Sequence, residues 1–283
     1  MRKLINLLFF LLFIGNSYAY NPKDSIRIES ILASAQLMNS QDNMMLYFGK
    51  QFIGTPYVAH TLDLNKEEKL VINTRELDCT TFVENVLALT LCAQRGQKSF
   101  KDFRIMLQKI RYRNGKIAYT SRLHYFTEWI ESNLRNGFVK KIESEKAPFT
   151  KVQNLNINYM STHPNSYAML KAHPQWLPEI KTMEKRLTGC SYRYIPKTAI
   201  NNSKLLRETI KNGDIIAILT NKQGLDTSHI GIASWQKDGL HLLNASQIHK
   251  KVIEEPMLFQ TYMSKHPSQI GIRVCRVAEL KKK

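Results

Sequence analysis

Apolar residues recur at three- and four-residue intervals through the first half of the chain, which is the spacing of amphipathic helices. The pattern predicts helices within residues 24–50, from Cys79 to a stop at Gly96, over 99–112 and over 122–136. The apolar face of the first helical region consists of Ile26, Ile28, Ile31, Leu32 and Leu37. The first half of the chain is therefore predicted to be mainly helical.

Short apolar runs rich in β-branched residues fill the last third, and turn residues separate them, which predicts strands. These runs occupy residues 214–219, 230–235, 240–244 and 270–276. The sequence Lys-Asp-Gly at 237–239 predicts a hairpin between the second and third runs. A short extended piece at 70–73 comes earlier in the chain. Helices followed by a sheet predict an α+β fold, with the helix that starts at Cys79 packed on an antiparallel sheet.

The middle of the chain, residues 140–205, has a different composition from its flanks. It contains several prolines and many Asn, Lys, Ser and Tyr residues, which predict extended pieces, loops and short helices. We interpret this region as an insertion within one domain that spans residues 20–283, and not as a second domain.

The first 19 residues have the pattern of a secretory signal peptide. Two basic residues precede an apolar run at 4–14, and Ser17 and Ala19 place small residues at the −3 and −1 positions. The run is too short for a comfortable membrane span, and no cysteine follows it to carry a lipid anchor. We therefore expect cleavage after Ala19, export to the periplasm of a Gram-negative envelope, and no membrane insertion of the mature chain.

Composition and charge are those of a globular protein with anionic partners. Of the 283 residues, 43% are apolar and 23% charged, so a sizeable core can form, and the net charge is +18. Nucleic acid is not expected as a partner, because an exported protein rarely meets its own genome. Anionic envelope polymers, lipid head groups and muropeptides with carboxylates fit the charge better. The sequence leaves the oligomeric state open.

Four cysteines occur, and none belongs to a Cys-x-x-Cys pair, so no metal site and no cofactor are expected. Cys79 and Cys92 are predicted on one helix, where thirteen residues separate them by roughly 20 Å. A disulfide needs α-carbons within about 7 Å, so this pair cannot form one. A bond between Cys190 and Cys275 is left open.

Three residues fall in an order that suits nucleophilic catalysis: Cys79 at a helix start, His229 at a strand start and Asn244 near the end of the next strand. A cysteine hydrolase needs a thiolate, a base and a group that orients the base. The helix start is expected to lower the pKa of Cys79, and the hairpin is expected to bring 229–231 near 243–245. Taken singly, each residue also has an ordinary structural explanation, since a cysteine at a buried helix end is usually a core residue.

Four motifs resemble those of the NlpC-like, papain-type superfamily of cell-wall cysteine amidases and peptidases. They are Gly-Thr-Pro-Tyr at 54–57, Leu-Asp-Cys-Thr-Thr-Phe-Val at 77–83, Ser-His-Ile-Gly-Ile at 228–232 and Leu-Asn-Ala-Ser at 243–246. The resemblance implies that Cys79 is the nucleophile, His229 the base and Asn244 the orienting group. It also implies that the Tyr57 hydroxyl lies near the oxyanion site, where the Cys79 backbone N–H would be a second donor. The sequence departs from the family in having Thr80 and its threonine neighbour where Ser-Gly is usual.

Three further motifs resemble the N-acetylmuramoyl-L-alanine amidase-like branch of that superfamily. They are Ser-Arg-Leu-His-Tyr-Phe at 121–126, Gly-Asp-Ile-Ile at 213–216 and Gly-Leu-Asp-Thr-Ser-His at 224–229. The likeness extends from about residue 40 to residue 277. It implies hydrolysis of the amide between N-acetylmuramic acid, in the anhydro form, and L-alanine in released muropeptides.

The resemblance also implies a set of substrate-binding residues. They are Asp78, Thr80, Arg122, His124, Tyr125 and Ser228. A guanidinium is a suitable partner for the carboxylates of such a substrate. As alternatives, Tyr125 and Trp129 are core residues of the 122–136 helix, and Arg122 is a cap or surface group. We expect Asp226 to be a turn residue, although it could also orient His229 or a substrate amine.

Two other functions compete with the amidase. The same triad could cut within the stem peptide, or the domain could bind the envelope without catalysis. The presence of Cys79, His229 and Asn244 together argues against the non-catalytic alternative.

Overall fold

The structure is a computed structural model that describes residues 18–38 and 43–279. The predicted signal peptide lies outside these residues except for its last two positions. Ten helices are described: α1 Pro22–Ser34, α2 Met44–Lys50, α3 Cys79–Gln94, α4 Phe100–Arg111, α5 Phe126–Arg135, α6 Tyr159–Thr162, α7 Ala168–Ala172, α8 Leu177–Leu187, α9 Lys204–Thr209 and α10 Phe259–Ser264. Ten strands accompany them: β1 Tyr18–Tyr20, β2 Leu70–Ile72, β3 Val139–Ile142, β4 Lys151–Asn154, β5 Ser191–Pro196, β6 Ile215–Thr220, β7 Thr227–Trp235, β8 Leu240–Ser246, β9 Lys251–Glu254 and β10 Gln269–Val277.

Helix α3 is the central helix of the fold. Asp78 caps its start, since its side chain accepts the Thr81 N–H at 2.7 Å while the Thr81 hydroxyl accepts the Asp78 N–H at 2.9 Å. Every residue from 81 to 92 is buried, because α1, α2 and α4 and the main sheet surround the helix. The cap at Asp78 therefore fixes the start of this buried helix at the next residue, Cys79.

The main sheet has eight strands, and all its pairings are antiparallel. Its order is β4-β5-β10-β6-β7-β8-β9, and β3 also pairs with β10. Alternate residues of each central strand face opposite cores: in β6, Ile215 and Ala217 face the core around α3, while Ile216 and Ile218 face the core around α10. The predicted α+β class with helices on an antiparallel sheet is confirmed.

The β7–β8 hairpin forms where the sequence predicts it. Its ladder runs from the Trp235–Leu240 pair to the Ile232–Leu243 pair, and the Gln236 N–H closes the turn on the Gly239 carbonyl at 2.8 Å. Beyond the Ile232–Leu243 pair the two strands stop pairing. From Leu243 onward β8 pairs with β9, while β7 remains paired with β6. A gap therefore opens between β7 and β8 at their far ends.

Several helix boundaries differ from the sequence prediction. The region 24–50 forms α1 and α2, which are separate helices, and Ile26 and Leu37 are 68% and 72% exposed instead of forming the apolar face. The helix predicted over 122–136 begins only at Phe126. Arg122 and Tyr125 are extended, because this segment turns back to pair with Tyr112. The chain at this position thus runs as a loop, and its polar side chains face a cleft described below.

The region 140–205 contributes more to the sheet than the sequence indicates. It contains β4 and β5, and β5 pairs with β10 within the main sheet. Its helices α6, α7 and α8 bury a separate apolar cluster that includes Met160, Leu170 and Ile180. These strands escape the sequence analysis because they are short and carry polar residues on exposed positions.

All four cysteines are free. Cys79 and Cys92 lie at opposite ends of α3, as predicted from the helix rise. Cys275 is buried in β10 and Cys190 follows α8, and no bond joins them. Within residues 18–38 and 43–279, no helix combines the length and the apolarity that a bilayer crossing requires.

The close packing around Gly231 predicts that a side chain at this position would disturb the hairpin. A Cβ at this position would lie 2.8 Å from Leu242 side-chain atoms and 3.0 Å from the Leu243 carbonyl oxygen. We expect Gly231→Ala to destabilise the fold by about 1–3 kcal/mol in urea unfolding, because Leu242 and the neighbouring backbone must shift.

The matched control is Ile232→Val, which removes one methylene from the opposite face of β7 and should cost about 0.5–1.5 kcal/mol. In the control the side-chain NMR titration of His229 should be unchanged, whereas in Gly231→Ala it should move. Wild-type stability and an unmoved His229 titration in Gly231→Ala would contradict this account of the hairpin.

Candidate active site

Cys79 is the first residue of α3, and its half-buried thiol points at the gap between β7 and β8. The backbone N–H of Ile230 faces the thiol sulfur, and the N–H and hydroxyl of Thr80 lie near the same atom, so all three are donors that favour the thiolate. In an antiparallel sheet the backbone N–H and C=O groups of successive residues point to opposite neighbouring strands. Those of Ala233 bond to the chain at the start of β6. Ile230 therefore points to the β8 side, and its N–H is available because β8 has separated from β7 there.

His229 and Asn244 meet across the same gap. The His229 Nε2–H donates to Asn244 Oδ1 at 2.9 Å, and Asn244 Nδ2 donates to the Leu242 carbonyl at 3.2 Å. The second bond fixes which side of the carboxamide faces the imidazole. A neutral imidazole that donates from Nε2 keeps a lone pair on Nδ1. The hairpin thus holds a histidine, oriented by an asparagine, one residue from the backbone group that contacts Cys79.

The protonation of Cys79 differs from the sequence expectation. Burial raises the pKa of the Cys79 thiol to about 12, and the carboxylate of Asp78 raises the pKa further. The hydrogen bonds from Ile230 and Thr80 lower the pKa but do not offset these two effects. The expected lowering of this pKa by the helix start is therefore not found, because desolvation opposes the thiolate.

His229 is held neutral by the same environment. Burial lowers the pKa of His229 below its ordinary value, and the nearby His266 lowers it too. The Asn244 hydrogen bond and the charge of Asp78 act in the opposite direction. In the resting state both the thiol and the imidazole are uncharged near neutral pH. Reaction of the thiol requires that its proton leave, and the neutral imidazole of His229 is the candidate base for that step.

A cleft of about 380 Å³ opens in front of Cys79. Of the predicted site residues, Tyr57, Asp78, Cys79, Thr80, Arg122 and His124 line it. Burial and the neighbouring Cys79 and Asp78 raise the pKa of Tyr57 to about 12, so its hydroxyl stays protonated and can donate a hydrogen bond. These side chains come from three separate segments of the chain: the turn at 54–57, the start of α3 and the loop that precedes α5.

Arg122 lies in the cleft wall but is already paired. Its Nη2 is 2.5 Å from Asp63 Oδ1, its Nη1 is 3.6 Å from Glu68, and its guanidinium lies 4.8 Å from the Tyr119 ring centroid. A neighbouring pair joins Arg111 to Glu84 at 2.6 Å. Because carboxylates of the protein neutralise Arg122, it is not the free cation that the sequence analysis assigned to substrate carboxylates.

His124 lines the cleft as a neutral hydrogen-bond donor. Its Nε2 donates to the Tyr119 carbonyl at 2.8 Å. Burial and the charge of Arg122 lower the pKa of His124 to about 3. The remaining Nδ1 can accept a hydrogen bond from a ligand but carries no charge above acidic pH.

Two predicted substrate-binding residues lie elsewhere. Tyr125 is buried, where its hydroxyl donates to Glu184 at 2.7 Å and accepts the Met160 N–H, so it belongs to the core as the alternative interpretation held. Ser228 is an exposed bulge residue that lies outside the cleft lining.

Asp226 is a buried structural residue. Its side chain accepts the N–H of Thr227 at 2.7 Å, as a turn residue does, and also the N–H of Thr127 at 2.6 Å. Thr127 is the second residue of α5, so Asp226 joins the start of this helix to the turn before β7. Because backbone N–H groups occupy both of its carboxylate oxygens, these contacts favour a structural role for Asp226 over one in orienting His229 or a substrate amine.

The sequence did not predict several cleft residues, among them His60, Asp63, Tyr167 and Gln247. His60 and Asp63 follow the turn at 54–57 within six residues, and Gln247 follows the 243–246 motif, so extension of those motifs would have found them. Tyr167 comes from the insertion, and no local signal marks it. In the described part of the chain, no cluster of three or more His, Cys, Asp or Glu side chains could hold a metal ion.

A family model described as N-acetylmuramoyl-L-alanine amidase-like matches residues 47–272. The chain belongs to the N-acetylmuramoyl-L-alanine amidase-like family. This match confirms the branch that the motifs at 121–126, 213–216 and 224–229 indicated. No curated protein matches the chain.

Several solved structures resemble this amidase-like protein over nearly their whole length. An N-acetylmuramoyl-L-alanine amidase from Bacteroides uniformis is 43% identical, with a TM-score of 0.77, over 83% of this chain and 98% of that one. A Bacteroides fragilis protein provisionally named a xylanase is 44% identical, with a TM-score of 0.76, over 81% and 98%. A Legionella pneumophila protein is 25% identical, with a TM-score of 0.71, over 90% and 95%.

The protonation of Cys79 generates a prediction about its reactivity. Only the thiolate reacts with iodoacetamide, and an acid whose pKa is raised from 9 to about 12 stays protonated through neutral pH. We expect the alkylation rate of Cys79 in the free protein to rise about tenfold per pH unit from pH 6 to 9, without a plateau, because each unit multiplies the thiolate fraction by ten.

Mass spectrometry of the labelled peptide measures this rate apart from Cys190, and Cys79→Ala is the blank. Asn244→Ala is the companion variant. Loss of its hydrogen bond lowers the pKa of His229 further, so the free-enzyme profile should keep its slope. A fast rate that is constant between pH 5 and 8 would show a preformed thiolate–imidazolium pair and contradict the neutral resting state.

Proposed function

We propose that the protein is an exported cysteine amidase of the NlpC-like, papain-type superfamily. Its substrate is the amide between N-acetylmuramic acid, in the anhydro form, and L-alanine in peptidoglycan fragments. One observation carries the proposal: in a chain of the amidase-like family, the Cys79 thiol at the start of α3 lies against Ile230, the strand neighbour of His229, and the His229 imidazole bonds to Asn244.

Attack on the substrate begins with a proton transfer. His229 Nδ1 accepts the thiol proton while the Cys79 sulfur bonds to the carbonyl carbon of the lactyl group. The hydrogen bond to Asn244 stabilises the imidazolium that forms, which is consistent with its raising the pKa of His229. The transfer converts two neutral groups into a charged pair only when substrate has displaced water from the cleft.

Two donors face the negative charge that develops on the carbonyl oxygen. Cys79 is the first residue of α3, so its backbone N–H has no acceptor within the helix. The protonated hydroxyl of Tyr57 is the second donor. Preorganised donors of this kind typically contribute on the order of 100-fold each to the rate.

Product release restores the resting state. The imidazolium of His229 gives its proton to the L-alanine nitrogen, the carbon–nitrogen bond breaks, and the peptide leaves with a free amine. The lactyl carbonyl stays on Cys79 as a thioester. Water then attacks the thioester with His229 as base, and the muramic acid carboxylate leaves as the thiol regains its proton.

The contacts of Asp78 favour cleavage of the sugar–peptide amide over cleavage of a peptide bond next to a free amino group. Its Oδ1 accepts both the N–H and the hydroxyl of Thr81, at 2.7 and 2.8 Å. Half of this carboxylate is therefore committed to the helix cap. When the lactyl group acylates the L-alanine nitrogen, the substrate needs no carboxylate partner at Asp78. A free ammonium group would need a carboxylate with both oxygens available.

The decisive test is digestion of defined muropeptides by the wild-type protein and by Cys79→Ala, with products read by mass spectrometry. We expect release of anhydro-muramic sugar and intact stem peptide, and a rate at least about 1,000-fold lower without the nucleophile. Chelator should leave the rate unchanged. Cys190→Ala is the matched control, since it removes a half-buried thiol outside the cleft.

Other products would identify other functions. Cleavage between L-alanine and the next residue would replace the proposal by a stem-peptide endopeptidase. Release of sugars from xylan would favour the activity in the name of the Bacteroides fragilis protein. Failure to turn over any fragment would favour a non-catalytic envelope-binding domain.

Export is proposed from the pattern of residues 1–19. Cleavage after Ala19 would fall inside β1, removing Tyr18, whose ring lies 4.1 Å from the Arg104 guanidinium, and keeping Tyr20, whose ring lies 4.9 Å from that of Phe100. The mature chain would thus keep one of its two aromatic contacts with α4.

We expect protein recovered from the periplasm to begin at Tyr20 in N-terminal sequencing. Ala19→Arg should block cleavage at this bond and leave a longer chain, because signal peptidases require a small residue at −1. An uncleaved wild-type chain that stays in the cytoplasm would contradict export.

A further inference from the structure

A second groove lies at the opposite end of β7 from the cleft. It has a volume of about 740 Å³, larger than the 380 Å³ of the catalytic cleft. Helix α2, the end of β7, α9 and the turn after α9 form its walls. The side chains that carry the argument are Tyr47, Lys50, Arg207, Lys211, Asn212 and Trp235.

Positive charge dominates this groove. Lys50, Arg207 and Lys211 contribute three cations, and none of the described residues that line it is a carboxylate. Lys50 has a distant partner in Glu254, at 3.9 Å, and the Lys211 ammonium donates only to the Arg207 carbonyl, at 3.0 Å. In contrast to Arg122 in the cleft, the two cations on the α9 side have no carboxylate partner in the described structure.

The aromatic side chains of the groove are held rigidly by their polar ends. The Trp235 Nε1–H donates to the Ile210 carbonyl at 2.8 Å, and the Tyr47 hydroxyl donates to the Ser34 carbonyl at 2.9 Å. The Arg207 guanidinium lies 4.4 Å from the Trp235 ring centroid. Fixed aromatic rings offer apolar area without loss of side-chain entropy on binding, and pyranose rings present flat C–H faces that pack on such area.

The groove is too far from Cys79 to contact the bond that is cleaved. Trp235 ends β7 and His229 lies near its start, so six residues at 3.3 Å each separate them by about 20 Å. A ligand in the groove must therefore be a different part of a long substrate, or a separate molecule.

We propose that this groove binds the glycan of polymeric cell wall, a strand of amino sugars whose attached peptides carry carboxylates. The proposal rests on the proposed function, since it assumes that the cleft acts on the same polymer chemistry. Guanidinium and ammonium groups bind the carboxylates, while Tyr47 and Trp235 contact the sugar rings. A membrane surface fits less well, because the cations line a concave groove and a bilayer is flat.

The test is co-sedimentation with purified peptidoglycan sacculi in a Cys79→Ala background, so that turnover cannot release the protein. We expect Arg207→Gln with Lys211→Gln to weaken binding about tenfold or more, because two charge-assisted contacts are lost. The matched control is Lys101→Gln with Lys181→Gln, which removes the same charge from exposed positions on α4 and α8 and should bind as the parent does.

A second arm identifies the ligand chemistry. Amidation of the sacculus carboxylates should weaken the parent protein to the level of the groove variant, and vesicles with anionic phospholipid should not compete. Equal losses in the groove and control variants, or binding of the vesicles in place of sacculi, would overturn the proposal.

The catalytic proposal is tested separately. With Cys79 intact, Arg207→Gln with Lys211→Gln should retain the wild-type kcat/KM on soluble muropeptides, because neither residue lines the cleft. Loss of sacculus binding with normal hydrolysis supports the groove. Normal binding with no hydrolysis by the wild-type protein would contradict the proposed function and leave the groove as the wall-binding site.

Discussion

The arrangement of the candidate site depends on where β7 and β8 stop pairing. Up to the Ile232–Leu243 pair the strands form an ordinary hairpin, and beyond it the Ile230 N–H has no partner in β8. The thiol at the start of α3 takes the place of that partner. The start of a helix on one face of the sheet thus lies beside β7, and the next residue of β7, His229, directs its side chain to the other face, where it bonds to Asn244. If the ladder continued by one more pair, the thiol would be excluded from the sheet.

Burial is the second constraint on this site, and it sets the protonation of the reacting groups. The environment that positions Cys79 and His229 also removes water from them, so each is more stable in its neutral form. The charged pair is the high-energy state of the free protein. A ligand that supplies hydrogen bonds to the charged pair lowers the energy of that pair relative to the neutral form. A buried site can in this way couple chemistry to substrate binding.

The sequence could predict the parts of the fold that have short-range causes. The helix start at Cys79, the hairpin turn at 237–239 and the strand predicted over 214–219 each follow from a local pattern, and each is present. The protonation of Cys79 could not be predicted, because desolvation comes from residues far along the chain. Nor could the pairing of Arg122 with Asp63, since 59 residues separate them and neither belongs to a periodic element. The strands β4 and β5 were missed because their conformation depends on pairing with distant strands of the sheet.

The protein has a net charge of +18, and the ion pairs of the cleft wall change how much of that charge acts near the thiol. Arg111 and Arg122 each meet carboxylates in the cleft wall, so the charges of these two guanidinium groups are neutralised locally near the thiol. Attraction and reaction are thereby separated in space. Polyanions are drawn to the outer surface at long range, so ionic strength governs how often they arrive. Once they are in the cleft, shape and hydrogen bonding decide what is retained, and dissolved salt has little influence on that choice.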